Sequence, residues 1–166
     1  MKAEAYRAKV EAHVSDAVAK GARILTGGRR PPGLERGFFF EPTVLADVNH
    51  DMVIMREETF GPTIPVMSYE TFDEAIALAN DSEYGLGACL YSHDARKARL
   101  FYERVQAGTI WINDPLTDNY AGPFGGMKMS GVGRELGEEG LEAFWQTKQV
   151  HWDLEGGVKS WWYPYG

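Results

Sequence analysis

The sequence predicts an α/β fold in which helices flank a mostly parallel β-sheet. Segments of strand-like composition alternate with helical segments of about ten residues, and this alternation is typical of βαβ units. The connections are long enough for the right-handed crossovers that join parallel strands. Hydrophobic residues make up 44% of the 166-residue chain, a normal share for a globular core.

The first part of the chain is predicted to form one helix followed by short extended segments. Apolar residues recur at helical spacing over residues 3–20, and Gly21 is well suited to end that helix. Residues 23–26 predict a short strand. Residues 38–45 are expected to be extended, and Pro42 restricts strand pairing there because proline has no N–H donor.

The second part is predicted to alternate strands with helices. Thr71 and Glu74 have the spacing of a capping box, and Asp94 is expected to cap a further helix. Apolar runs predict strands over residues 63–69, 87–91 and 109–112. A glycine-rich loop is then expected to lead to a helix near residues 137–145 and a final strand over residues 148–154.

The charge distribution argues against several classes of partner. The chain carries 17 Lys and Arg against 24 Asp and Glu, and the acidic excess lies after residue 37. Nucleic acid is therefore not expected as a partner, because phosphate binding requires clustered cations. No apolar run approaches the ~18 residues of a membrane helix, and no secretory signal is recognised. The single cysteine, Cys89, fits a reducing, cytoplasmic location.

The first candidate site is the clamp segment, residues 57–62, with the sequence Glu-Glu-Thr-Phe-Gly-Pro. A carboxylate in this segment can accept hydrogen bonds from both hydroxyls of a ribose, and an aromatic ring can pack against a nicotinamide. Composition alone favours a plainer interpretation, in which the segment is an acidic surface turn and Phe60 anchors it to the core.

The second candidate site is the glycine-rich segment, residues 123–137. Its glycines indicate unusual backbone conformations or a close approach to neighbouring chain. Leu136 stands where a dinucleotide fingerprint would have its third glycine, and the Gly-Lys-Ser/Thr of a P-loop is missing. The segment therefore does not by itself predict a phosphate-binding loop.

Together, the clamp segment and the glycine-rich segment resemble the downstream part of an aldehyde dehydrogenase. Residues 38–44 and 107–113 are similar to the same family. The resemblance implies that residues 1–146 form an incomplete aldehyde dehydrogenase catalytic domain. It also implies an aldehyde substrate and NAD or NADP as cofactor, and the residues that would distinguish the two cofactors lie elsewhere in the family.

The resemblance assigns roles to single residues as well. It implies that Glu58 and Phe60 hold the nicotinamide ribose. Leu86 is similar to a leucine near the nicotinamide, although core packing explains this residue equally. Phe124 resembles an aromatic residue on the wall of the aldehyde tunnel, and Glu135 resembles a glutamate in a proton relay that supports deacylation.

The family's catalytic cysteine is expected upstream of these residues, as are the glutamate base, the oxyanion asparagine and the Rossmann domain. Cys89 lies in an apolar strand and is predicted to be buried and inert. The chain alone is therefore expected to be inactive and to bind no cofactor tightly. Asp114 stands where many members have cysteine, which leaves the preferred aldehyde open. Glu135 has a structural alternative in an ion pair with Arg134 or with another neighbouring residue.

Residues 147–166 are predicted to form a strand and an aromatic tail that make a homo-oligomer interface. Five of the last fifteen residues are Trp or Tyr, which are favoured at interfaces. Packing of the tail on its own domain is the alternative. An alternative function for the whole chain is a non-catalytic oligomerisation module that docks on full-length homologues. The four histidines form no metal-binding pattern, so no metal is expected.

Overall fold

The computed structural model describes residues 1–117 and 119–162, which divide into two compact units. The first unit contains residues 1–117 and 125–132, and the second contains residues 119–124 and 133–162. Residues 133–146 thus group with the tail, whereas the sequence places a boundary after residue 146. Helices and short sheets alternate along the chain, which confirms the predicted α/β class.

The first unit begins with helix α1, Glu4–Ala19, close to the predicted bounds. Gly21 follows the helix at φ +103°, a conformation that glycine adopts without the Cβ clash of other residues. One face of α1 packs against the strand and loop that follow it. The buried apolar residues of this core are Val10, Val14, Ala17, Ala22, Phe40, Leu45, Val48, Met52 and Ile54.

A three-stranded sheet consists of β1 (Arg23–Thr26), β2 (Thr43–Ala46) and β3 (Thr63–Pro65), in that order. β1 pairs with β2 antiparallel, and β2 pairs with β3 parallel. A 3-10 turn, Val53–Met55, lies in the connection from β2 to β3. β3 is shorter than the predicted strand over residues 63–69 because its partner β2 ends at Ala46.

The rest of the first unit contains helix α2 (Phe72–Asn80) and a βαβ unit of β5 (Gly87–Leu90), α3 (Ala95–Arg104) and β6 (Thr109–Ile112). β5 and β6 are parallel, as the crossover predicts. The capping box of Thr71 and Glu74 is present. Asp94 also caps α3 as predicted, because its side chain accepts hydrogen bonds from the first backbone N–H groups. A second core contains Ile76, Phe101, Val105 and Ala107.

A further pair of short strands brings the glycine-rich segment back to the first unit. β4 (Tyr84–Gly85) pairs antiparallel with β7 (Met127–Lys128). Gly108 lies beneath this pair, and a Cβ atom at that position would overlap the backbone of Gly125. The close approach that the glycines indicate is therefore present, and at Gly108 it requires glycine.

The second unit holds a backbone bridge between Phe124 and Glu135 and one short helix, α4 (Gly137–Glu142). The helix ends earlier than the predicted residue 145. Residues 148–154 form no strand, which corrects the prediction, because a strand requires a partner and none pairs with them among the described residues. In the tail, the rings of Trp161 and Trp162 make an edge-to-face contact with centroids 5.7 Å apart.

Candidate functional site

A cavity of about 450 Å³ lies in the first unit and contains two of the predicted cofactor residues, Glu58 and Leu86. Three stretches of chain form its walls: residues 54–58, residues 82–86 and residues 129–130. The lining residues are Ile54, Met55, Arg56, Glu57, Glu58, Ser82, Tyr84, Leu86, Met129 and Ser130. The clamp segment and the glycine-rich segment therefore both contribute to one cavity, although about 70 residues separate them in sequence.

Arg56 fixes the wall that carries Glu58. Its Nε donates to the carbonyl oxygen of His50 at 2.7 Å, and its Nη1 donates to the carbonyl oxygen of Asp81 at 2.9 Å. Its Nη2 lies 3.0 Å from Asp81 Oδ2, which also lies 2.6 Å from His50 Nδ1. These bonds from His50 and Arg56 hold the pKa of Asp81 below its ordinary value. Arg56 thus ties the 3-10 turn to the end of α2.

Lys128 and Ser130 fix the opposite walls relative to each other. Lys128 Nζ donates to the carbonyl oxygens of Asn80 and Ser82 at 2.7 and 3.0 Å, where it also caps the C-terminus of α2. Ser130 Oγ accepts a hydrogen bond from the backbone N–H of Gly85 at 2.9 Å. The glycine-rich segment therefore acts as a brace for the stretch that carries Leu86.

The two glutamates of the clamp segment have different surroundings. Glu57 Oε2 lies 3.8 Å from Lys9 Nζ and 3.6 Å from His13 Nε2, so its carboxylate is directed at α1. Glu58 is exposed at the cavity, and its carboxylate has no ion-pair partner within residues 1–117 and 119–162. Of the two adjacent carboxylates, Glu58 is the one available to an added ligand.

Phe60 is 75% exposed, so the interpretation of this residue as a core anchor is wrong. Its φ is +51°, an uncommon conformation for a bulky side chain. Phe60 lines a separate cavity with Met1, Lys2 and Tyr6 and is not part of the lining around Glu58. The structure thus brings Glu58 and Leu86 together and directs Phe60 elsewhere.

The contacts that support the clamp segment come from α1 and have only a weak signal in the sequence. His13 is buried, and its Nδ1 lies 3.0 Å from Thr59 Oγ1. A Cβ atom at Gly61 would overlap the side chain of Val10, so the segment lies directly on the helix. The one feature of the sequence that points to this contact is the position of His13, because a histidine on the apolar face of α1, beside Val10 and Ala17, needs a polar partner.

The predicted tunnel and relay residues both belong to the second unit. Phe124 is half-buried, and Glu135 is exposed. The two residues lie opposite each other in an antiparallel backbone bridge. Arg134, the alternative partner of Glu135, donates from Nη1 to the carbonyl oxygen of Gly133 at 2.7 Å. The roles of Phe124 and Glu135 stay predictions.

Cys89 lies in β5, as predicted, but it is only half-buried, whereas the sequence predicts a buried thiol. It pairs with Trp111 in the parallel ladder of β5 and β6. Most residues of this two-stranded sheet are half-buried in the described chain, and Ala88, Leu90, Ile110 and Ile112 pack against the second core. Within the described residues, no group of three His, Cys, Asp or Glu side chains could hold a metal ion. No helix of that part is long and apolar enough to cross a membrane.

Comparison with known proteins gives a consistent result. Residues 1–150 match the family model of the aldehyde dehydrogenase family. The chain is similar to peroxisomal aminoaldehyde dehydrogenase 1 of Pisum sativum, with 48% identity over 147 residues, covering 89% of this chain and 29% of the relative. It is also similar to betaine aldehyde dehydrogenase of Bacillus subtilis, with 42% identity over 158 residues, covering 94% of this chain and 32% of the relative.

Solved structures match this chain over a similar share of their own length. The betaine aldehyde dehydrogenase of Staphylococcus aureus in complex with NAD+ superimposes with a TM-score of 0.87 at 42% identity. That match covers 96% of this chain and 32% of the other chain. The chain thus spans about a third of the length of the relatives that it matches.

Proposed function

Because the chain belongs to the aldehyde dehydrogenase family, we propose that it forms the C-terminal part of the catalytic domain of an NAD(P)-dependent enzyme that oxidises aldehydes to carboxylic acids. The observation that carries this proposal is the cavity in which Glu58 and Leu86 meet. Its size of about 450 Å³ suits one end of a cofactor rather than a whole dinucleotide.

Glu58 has the chemistry for a ribose. A carboxylate offers only acceptor atoms, and two vicinal hydroxyls offer two donors at matching separation. Arg56 and its partners keep the backbone next to Glu58 in place, so that the carboxylate binds without first being ordered. Leu86 supplies an apolar wall for the nicotinamide. When bound, the cofactor supplies the hydride acceptor.

Phe124 and Glu135 are assigned to the aldehyde side of the reaction. An aromatic ring at Phe124 forms one wall for the substrate, and the Glu135 carboxylate accepts and releases a proton during hydrolysis of the thioester. The relatives named as betaine aldehyde and aminoaldehyde dehydrogenases indicate a substrate with a positively charged nitrogen. The face of an aromatic ring attracts such a cation. Betaine aldehyde should therefore shift the ring signals of Phe124 more than an uncharged aldehyde of similar size.

The 166-residue polypeptide itself is proposed to be inactive. Its cysteine, Cys89, is half-buried in β5 and belongs to the sheet rather than to the cavity that holds Glu58. About two thirds of the relatives' length has no counterpart in these residues. The family reaction needs a thiolate nucleophile, and the chain offers none at the cavity.

A second candidate function is an interaction module that docks on full-length homologues. The second unit favours it because large apolar side chains lie exposed there: Phe144, Trp145, Val150, Trp152 and Leu154. Such a surface is unusual on a monomer and typical of a binding face. The two proposals differ in whether the cavity at Glu58 has any ligand.

The experiment that tests the first proposal is a titration of the isotope-labelled chain with NAD+ at millimolar concentration, followed by NMR. We expect shifts at Glu58 and Leu86, loss of these shifts in Glu58→Gln, and their retention in Glu83→Gln. The second variant is a matched control because Glu83 is an exposed carboxylate of the same unit that does not line the cavity. Equal loss in both variants, or no shift at Glu58 and Leu86, would contradict the proposed cofactor role.

A further inference from the structure

The clamp segment has few attachments of its own. After the 3-10 turn Val53–Met55, the chain has no regular structure until β3 begins at Thr63. Glu58, which the proposed function assigns to the cofactor, and Phe60 are both exposed. Side chains that face solvent cannot hold the backbone between them in one conformation. The segment must therefore be fixed by residues other than those that contact the cofactor.

His13 is the side chain from α1 that lies beneath this segment. It is only 4% exposed, on the face of α1 that also buries Val10 and Ala17. Its Nδ1 lies 3.0 Å from Thr59 Oγ1, and its Nε2 lies 3.6 Å from Glu57 Oε2. Both ring nitrogens thus face the clamp segment. A buried polar group with a defined partner orients both partners, because leaving it unpaired is unfavourable.

A second contact fixes the segment on the other side of Phe60. Gly61 lies so close to Val10 that any Cβ atom would overlap the valine side chain. Val10 and His13 are three residues apart, and they therefore form one patch on the surface of α1. Thr59 and Gly61 flank Phe60, so α1 holds the chain immediately before and immediately after it.

The contacts with α1 maintain an uncommon backbone conformation at Phe60. Its φ of +51° is costly for an aromatic residue and persists only where the surroundings impose it. The two anchors on α1 supply that constraint. Glu58 precedes Thr59 directly, so a rotation of the Thr59 backbone would also move the carboxylate at the cavity.

We propose that His13 is a positioning residue for the clamp segment: through its hydrogen bond to Thr59 it fixes the backbone that presents Glu58 at the cavity and holds Phe60 at its positive φ. The assignment of that segment to the cofactor rests on the proposed function above. The positioning itself rests on the contacts of α1. His13 does not contact the cofactor and takes no part in the chemistry.

The test compares variants on both sides of the bond in the 166-residue chain. Thr59→Val replaces the hydroxyl with a methyl group of similar size, and Thr59→Ser retains the hydroxyl. His13→Leu removes the ring nitrogens, and His13→Asn keeps a polar atom close to the position of Nδ1. NMR relaxation reports the order of Glu58 and Phe60, and signals from α2 and α3 report whether the rest of the chain is folded.

We expect Thr59→Val and His13→Leu to lose order at Glu58 and Phe60 while α2 and α3 keep their signals. The NAD+-induced shift at Glu58 should fall at least severalfold in both variants. Thr59→Ser and His13→Asn should retain most of the order and of the NAD+ response. This rescue by conservative variants would not be seen if His13 merely filled space.

Unchanged order at Glu58 and Phe60 in a folded Thr59→Val chain would overturn the proposal, and so would equal losses in Thr59→Val and Thr59→Ser. If Thr59→Val does not fold, the order of Glu58 and Phe60 in His13→Leu tests the same proposal. A wild-type chain without any NAD+ response, in which Thr59→Val still disorders the segment, would contradict the proposed function and support the positioning by His13. The two ideas can therefore fail separately.

Discussion

Phe124 and Glu135 exchange two backbone hydrogen bonds: the Phe124 N–H donates to the Glu135 carbonyl at 2.7 Å, and the Glu135 N–H donates to the Phe124 carbonyl at 2.8 Å. Residues opposite each other in an antiparallel pair direct their side chains to the same face. The glycine-rich segment therefore folds back so that its aromatic residue and its glutamate become neighbours. That arrangement suits an aromatic wall with an adjacent proton carrier, which is the role proposed for the pair.

The glycine at position 108 is expected to be essential for stability. A Cβ atom there would overlap the Gly125 backbone, which carries the chain into β7. The backbone can shift less than a side chain to relieve such an overlap. Gly108→Ala should therefore lower the free energy of unfolding by at least about 1–3 kcal/mol, measured by urea denaturation. Gly157→Ala is the control, since its Cβ would lie in open space. Equal stability of the two variants would show that Gly108 is not closely packed.

Stability should depend on pH through His13. Burial, and then the charge of Lys9, lower the pKa of His13, and these effects outweigh the opposing carboxylates of Glu57 and Asp16. The unfolded chain, with an ordinary histidine pKa of ~6.5, therefore binds more protons than the native chain at mildly acidic pH. The contribution of His13 is fully present above pH ~6.5 and is lost as the pH falls through the lowered value.

This pH dependence can be measured by urea denaturation between neutral and mildly acidic pH. His13→Asn should flatten the decline in the free energy of unfolding, because the variant has no imidazole to protonate. His93→Asn, at an exposed position, is the matched control and should follow the wild-type profile. A decline of the same steepness in His13→Asn and wild type would show that the native state does not favour neutral His13.

Local signals predicted the helices, and contacts distant in sequence determined what the prediction missed. The capping box at Thr71 and the cap at Asp94 involve residues only two or three positions apart, so both were visible in the sequence. The bond from His13 to Thr59 spans 46 residues and has no local signature. The predicted strand over residues 148–154 is absent, because a strand forms only with a partner and none pairs with these residues in the described part of the chain. The exposure of Phe60 likewise depends on contacts distant in sequence, those of α1 with Thr59 and Gly61.

Binding of the whole cofactor is expected to be weak. The cavity around Glu58, at about 450 Å³, suits a ribose and a nicotinamide rather than a whole dinucleotide. Calorimetry with NAD+ should therefore detect no binding tighter than about 1 mM, which corresponds to ~4 kcal/mol. A micromolar dissociation constant would mean that a cofactor site exists outside the cavity described here.

The second unit is expected to promote self-association. Trp145 and Trp152 are 71% and 78% exposed, and Phe144 and Leu154 are exposed as well. Light scattering at micromolar concentration should show a dimer or a larger species, and deletion of residues 147–166 should reduce its mass. Replacing Glu138 and Glu139 with Gln is a suitable control, since these exposed carboxylates lie on α4 outside the deleted segment. A monomer before deletion, or an unchanged mass after it, would contradict an interface in the tail.

The most direct test of the proposed function is the aldehyde-dependent formation of NADH or NADPH by the purified 166-residue chain. In that proposal these residues supply the cofactor clamp and an aldehyde wall but no nucleophile, because Cys89 belongs to the sheet of β5 and β6 rather than to the cavity at Glu58. We therefore expect no turnover with betaine aldehyde, with an aminoaldehyde or with an uncharged aldehyde, and no effect of Cys89→Ser. Turnover in the wild-type chain that disappears in Cys89→Ser would contradict the proposal.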